Sequence, residues 1–296
     1  MATVQDLKRR IRSIRNTRKI TKAMELVASA RLRRAQARIE AMRPYADRMM
    51  ELMVGTARAS TSLQGLTLLQ RREVKRAAIV ALTGDRGLAG AFNAQVLRQA
   101  VALERRLRAE GVETRWLVAG KKGRSTLAFR RHEVEQAWIG FSDRPAYSDA
   151  QAIANRAIEL YEGGEVDRVV LVYNQFVSAL VQRVVETDVL PVPEHLLERG
   201  EEEERQAALL GDFIYEPEPE EILRRLLPVY VETELYRALL ESAASEQGAR
   251  MTAMRNASGN AADLISSLTL DMNRARQAEI TQEILEVVAG ADALTA

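Results

Sequence analysis

The sequence predicts an α/β protein: a long antiparallel coiled coil of the N- and C-terminal helices, plus a central α/β domain. Three observations point there. Residues 3–54 lack glycine and contain one proline, Pro44. A second helical pattern runs from about residue 220 nearly to the end of the 296 residues. Between them, short apolar runs alternate with amphipathic ones, as in a mostly parallel sheet covered by helices.

The first helix is read from its apolar spacing. Leu7, Ile11, Ile14, Met24, Val27, Ile39, Met42, Tyr45, Met49 and Leu52 recur at three- and four-residue steps, forming one stripe. At about 1.5 Å per residue the segment reaches roughly 75 Å, longer than a globular core needs. Pro44 is a point for a kink, and Gly55 with the Ser60–Ser62 cluster closes the segment.

The middle of the chain opens with Ala77–Leu82, an apolar run suited to a buried strand. A helix over Ala94–Glu110, a strand over Thr114–Ala119, a short helix over Gly123–Arg130 and a strand over Val134–Ile139 follow. Residues 148–162 read as helix, and Val166–Tyr173 and Leu180–Val189 as strands, the last pair adding an antiparallel edge. The alternation makes this domain Rossmann-like.

In the C-terminal segment, Leu235, Leu239, Met251, Met254, Ala261, Leu264, Leu268, Met272, Ala275, Leu285 and Val288 approximate a 3.5-residue spacing. Pro228 bends or breaks its start, and a helix over 229–289 approaches ~90 Å. Neither long helix can bury a stripe alone, so the two pair. The many Ala, Ser, Thr and Met residues predict an irregular seam. The expected organisation is an N-terminal coiled-coil helix (1–57), a central domain (73–190), an acidic mobile linker (191–219) and a C-terminal coiled-coil helix (220–296).

Composition excludes several chemistries. With no cysteine, disulfides, thiolate metal sites and thiol nucleophiles are ruled out. The two histidines, His132 and His195, are far apart, and His132 reads as an exposed surface residue. No apolar run is long enough to span a bilayer, and the basic N-terminus lacks a signal-peptide core, so a soluble chain is expected. The net charge of +2 hides an asymmetry: residues 8–38 hold 12 Lys/Arg against Glu25, whereas 194–221 hold 11 Asp/Glu against two arginines. The first helix is therefore expected to meet something acidic.

Thr83-Gly84-Asp85-Arg86-Gly87-Leu88-Ala89-Gly90 follows a strand and precedes a helix, the context of a phosphate-binding turn. Its glycine spacing matches neither GxGxxG nor GxxxxGK[ST], which favours a tight βα turn. No GxSxG or HExxH arrangement occurs, and no catalytic, cofactor-binding or metal-binding residue is assigned.

Arg10–Ala28 closely resembles the first helix of the F-type ATP synthase gamma subunit. Asp85–Gly90 is similar to that family's short central motif, with Ala89 where many members have cysteine. Ala275–Ala291 resembles its C-terminal stretch. The three matches stand in the family's order and reach from end to end of the chain.

The resemblance implies a central-stalk rotor without catalytic activity or cofactor of its own, coupling transmembrane proton flow to ATP synthesis by rotation. The implied partners are the alpha and beta subunits of the catalytic ring, the epsilon subunit and the membrane c-ring, with no nucleic acid. The implied location is the cytoplasmic face of the cell membrane, as a peripheral protein. Rotor contacts carried over by resemblance are Met24, Arg250, Arg276, Gln277, Thr281, Glu283 and Glu286. An acidic lever on the family's beta subunits would complement a basic bearing face of Arg9, Arg12, Arg15, Lys19 and Lys22. The alternative from the residues alone is a basic coiled-coil nucleic-acid-binding protein. An enzyme on the central domain rests on fold analogy.

Overall fold

The computed structural model describes residues 3–60, 62–63, 65–193 and 217–295, with only the backbone described for 291–295. Most of the expected acidic linker, residues 194–216 with His195, lies outside the described residues. The chain divides into two compact units, residues 29–249 and residues 1–28 with 250–296.

The larger unit is a three-layer α/β body. Its strands are β1 (Arg76–Leu82), β2 (Glu113–Ala119), β3 (Val134–Trp138), β4 (Arg168–Phe176) and β5 (Gln182–Leu190), in the order β3-β2-β1-β4-β5. The first four are mutually parallel and β5 is antiparallel to β4. The even sidedness of a strand splits β1 between two cores. Ala77, Ile79 and Ala81 pack towards helices α2 (Phe92–Ala109) and α3 (Lys121–Phe129). Ala78, Val80 and Leu82 face a second cluster. That cluster contains Ile153 and Ala157 of α4 (Tyr147–Glu162), Met49 and Met53 of α1 (Val4–Ala59), and Leu227, Val231 and Leu235 of α5 (Pro219–Thr295). A strand buried on both faces reads as a continuous apolar run.

His132 differs from expectation. Its side chain is largely buried, with Nδ1 3.2 Å from Glu104 Oε2 and its ring edge-on to Trp116 at 5.6 Å. Glu104, itself buried, also accepts the Trp116 Nε1–H at 3.1 Å and pairs with Arg108 at 2.9 Å. A carboxylate inside a core needs such partners, and the histidine is drawn in as one. The predicted stop at Gly55 is passed as well, since α1 continues to Ala59. Gly55 is half-buried, between the core residues Val54 and Thr56. Pro44 and Pro228 both lie inside continuous helices.

In the smaller unit, one row of buried or half-buried residues of α1 runs through Leu7, Ile11, Ile14, Thr21, Glu25 and Ala28. On α5 one such row runs through Met251, Met254, Ser258, Ala261, Ile265, Leu268, Met272 and Ala275. The α5 row steps by three and four residues throughout, and the α1 row does so apart from one full heptad between Ile14 and Thr21, where Arg18 is exposed; this is the heptad seam of a coiled coil. Glu25, late in the first row, meets Arg255, early in the second, at 3.1 Å, which is an antiparallel register. The seam departs from the expected stripe at Val27, Leu264, Leu285 and Val288, which are exposed.

Candidate functional site

In an open parallel sheet, ligands bind outside the carboxyl ends of the strands, where the strand order reverses. Here that point lies between β1 and β4. Side chains of the protein itself fill it. Ser245 of α5 donates to the carbonyl of Asn174 at 3.0 Å, and the buried Asn174 donates to the carbonyl of Phe92 at 3.2 Å. Gly84 sits so near α5 that a methyl group on it would stand 2.9 Å from the Glu246 carboxylate.

The Asp85 carboxylate takes the place an anionic ligand would occupy at such a turn. It accepts the backbone N–H groups of Lys121 and Gly140 at 2.9 Å and of Ser142 at 3.1 Å. Its own N–H donates to Ser142 Oγ at 2.8 Å, and the Gly84 N–H to Asn93 Oδ1 at 2.8 Å. One side chain thus ties the turns after β1, β2 and β3 together. The turn reading of Thr83–Gly90 holds: Gly84 serves the close approach of α5, and Gly90 takes a positive φ of 56°.

The second candidate surface is the coiled-coil pair. Arg12, Arg15 and Lys19 are exposed and make no ion pair among the described residues. The other two members of the proposed basic face are engaged. Arg9 pairs with Asp6 at 3.2 Å, and Lys22 with Glu25 at 3.0 Å. Glu25, the lone acid of the basic run, is buried in the seam between Lys22 and Arg255. Hydrogen bonds from Lys22, then from Arg255, hold its carboxyl below the usual carboxylate range.

The rotor-contact candidates separate into two groups. Met24 is half-buried beside the seam and Arg250 is buried, whereas Arg276, Gln277, Thr281, Glu283 and Glu286 are all exposed. By the Glu25–Arg255 register, Val4 at the start of α1 stands level with about residue 276 of α5. The buried row of α5 ends just there, at Ala275. Beyond it α5 runs on to Thr295 as a single helix of roughly 30 Å. Ile280, Ile284, Leu285, Val287 and Val288 on that extension are 48–72% exposed. A bare apolar helix end of this kind marks an interaction surface.

Sequence reasoning missed the Asp85 clamp, because the loops it joins are distant in the chain. It also missed Glu25 as a seam residue. The signal was present, in a single acid at a seam position of a basic helix.

Comparison with known proteins gives a consistent picture. The family model described as ATP synthase matches residues 3–294. The chain is 46% identical over 296 residues to the ATP synthase gamma chain of Rubrobacter xylanophilus, covering all of both chains. It is 47% identical over 294 residues to that of Moorella thermoacetica, covering 99% of this chain and 100% of the relative. Among solved structures, the central stalk and c-ring of Tetrahymena thermophila mitochondrial ATP synthase includes a chain matched with TM-score 0.58 and 27% identity, over 81% of this chain and 99% of that one. A chain of the Euglena gracilis mitochondrial ATP synthase assembly of OSCP, F1 and c-ring shares the fold with TM-score 0.66 at 18% identity, over 98% of this chain and 94% of that one. The chain belongs to the ATP synthase gamma-chain family.

Proposed function

We propose that this chain is the central-stalk rotor subunit of an F-type ATP synthase, coupling transmembrane proton flow to ATP synthesis in the catalytic alpha/beta ring by rotation. One observation carries the reading: end-to-end alignment with curated gamma chains at 46% identity. Each rotor angle favours one conformation of each beta subunit through differential contact energy, so an asymmetric shaft places the catalytic sites in different states. The subunit performs no chemistry itself. This is supported by the filling of the sheet's carboxyl edge by Ser245, Glu246 and Asn174.

The proposed partners are the alpha and beta subunits around the coiled-coil pair, and epsilon and the membrane c-ring at the α/β body. The exposed run from Arg276 to Glu286 and the free cations Arg12, Arg15 and Lys19 support a ring contact. Met24 and Arg250 act there by shaping the shaft, since both are at least half-buried in the chain. Among the described residues no helix is long and apolar enough to cross a membrane. Attachment at the cytoplasmic face of the cell membrane is therefore proposed to run through partner subunits.

Reconstitution tests this. Co-expressed with its alpha and beta partners, the chain is expected to elute in a large complex with Mg-dependent ATPase activity. Restored to membranes stripped of the ring, that complex should support ATP-driven proton pumping that fails without this chain. Elution as a monomer that binds DNA in a salt-sensitive way would instead favour the nucleic-acid reading.

A further inference from the structure

Within residues 29–249, two adjoining cavities of about 780 and 350 Å³ lie along one groove and share Arg38, Arg144 and Pro145 in their walls. One wall is a single face of α1, carrying Arg31, Arg34, Arg38, Met42 and Tyr45 at three- and four-residue steps. The opposite wall is a face of α5 with Thr233, Tyr236 and Leu240. The turn preceding α4 supplies Asp143 and Arg144, and the first residue of α4 supplies Tyr147.

The groove has two chemical ends. Four arginines line it against one acid, Asp143, which is bonded to Arg31 at 2.8 Å and to Gln247 at 3.0 Å. The guanidiniums of Arg34, Arg38 and Arg144 have no hydrogen bond or ion pair among the described residues. In the larger cavity Tyr147 and Tyr236 stand edge to face at 5.6 Å, with Tyr45 and Met42 beside them. Tyr147 donates its hydroxyl to Glu232 at 2.6 Å. Burial, then that hydrogen bond, push its phenol up.

We propose that this groove between α1 and α5 binds a nucleoside polyphosphate. Planar guanidiniums bind phosphate oxygens bidentately, and tyrosine faces stack on bases. The cavities are of the size ordinary ligand pockets have. A solvated basic face would account for the arginines but not for a tyrosine-lined cavity joined to them. The free guanidiniums gather at Arg38 and Arg144, where the two cavities meet, so a base in the larger cavity would direct its phosphates to them. The inference does not depend on the rotor reading.

The test is calorimetric titration of the full chain with ATP, pyrophosphate and adenosine separately. ATP should saturate, pyrophosphate should compete with it, and adenosine should bind much more weakly. Arg34→Gln, Arg38→Gln and Arg144→Gln should each weaken ATP about tenfold, the scale of one charge-assisted contact, with circular dichroism confirming the fold. Tyr45→Ala should weaken ATP but leave pyrophosphate unchanged, and Arg98→Gln on α2 should change neither. The proposal is overturned by absence of saturation at millimolar ATP, or by undiminished ATP binding in the triple arginine variant. Equal losses in Arg98→Gln, or saturable binding of polyglutamate that ATP does not displace, would also overturn it. The last outcome would assign the groove to an acidic protein segment.

Discussion

The α/β body and the coiled-coil pair are cut from one chain but held by different means. In the body, β1 is sandwiched, and Ala77–Leu82 are all at most 1% exposed because helices cover both faces of the sheet. In the pair, each helix buries one row and leaves the rest of its circumference to solvent, and that row includes Thr21, Glu25 and Ser258. Two-sided burial makes a stiff body whose surface can be spared. One-sided burial with polar residues in the seam gives a thinner contact. It leaves most of each helix free to meet other surfaces.

The largest expected effect is a contrast between matched deletions. Ile79→Ala empties a fully enclosed site and should cost about 4 kcal/mol, whereas Ile11→Ala in the two-helix seam should cost about 2 kcal/mol. Both tryptophans, Trp116 and Trp138, lie in the body. Denaturation followed by tryptophan fluorescence should therefore register Ile79→Ala strongly and Ile11→Ala weakly, with helical circular dichroism registering both. Equal shifts in fluorescence would mean that the body and the pair are held alike.

Next comes the basic face. Replacing Arg9, Arg12, Arg15, Lys19 and Lys22 by Gln keeps helix propensity nearly constant. Three of these cations are free, and exposed pairs are worth ~0.2–1 kcal/mol each, so partner attachment should weaken by roughly 1–3 kcal/mol. Complex assembly or coupled ATP synthesis should fall while the subunit stays folded, and the native complex should loosen as salt rises. Full assembly and undiminished synthesis would remove the electrostatic bearing and leave the family assignment standing.

A smaller effect sits in the seam. Because Glu25 titrates below its ordinary range when folded, its stabilising contribution is complete above the unfolded-state value and is lost as pH falls through the lowered one. Thermal unfolding of the helices should be less steeply acid-sensitive in Glu25→Gln. An unchanged acid limb would show that the bridge to Lys22 and Arg255 contributes nothing measurable. The smallest expected effect is zero: with no cysteine, dithiol reductants should not alter activity through this subunit. A reductant response that followed the subunit into hybrid complexes would contradict this.

Periodic packing was legible in the residues, and pairings between distant segments were not. The sequence reading placed β1 at Ala77–Leu82, one residue inside the observed strand, and foresaw the antiparallel β4–β5 edge. An apolar run bounded by turns carries that information locally. Val27 and Leu264 were assigned to the seam but lie outside it, because a stripe permits two neighbouring rows and only the partner helix selects one. The Asp85 clamp and the Arg144–Tyr147 side of the groove depend on loops brought together by the sheet. His132 gave no sign of its buried partner Glu104 for the same reason.

Rotation can be observed directly, because the chain has no cysteine. Phe129, at the end of α3, is 88% exposed, so Phe129→Cys introduces a single accessible thiol for an optical probe. In complexes held to a surface by the alpha/beta ring, the probe should turn in one direction during ATP hydrolysis, pausing once per catalytic site in each revolution. A probe that stays fixed while the complex continues to hydrolyse ATP would contradict the rotor account.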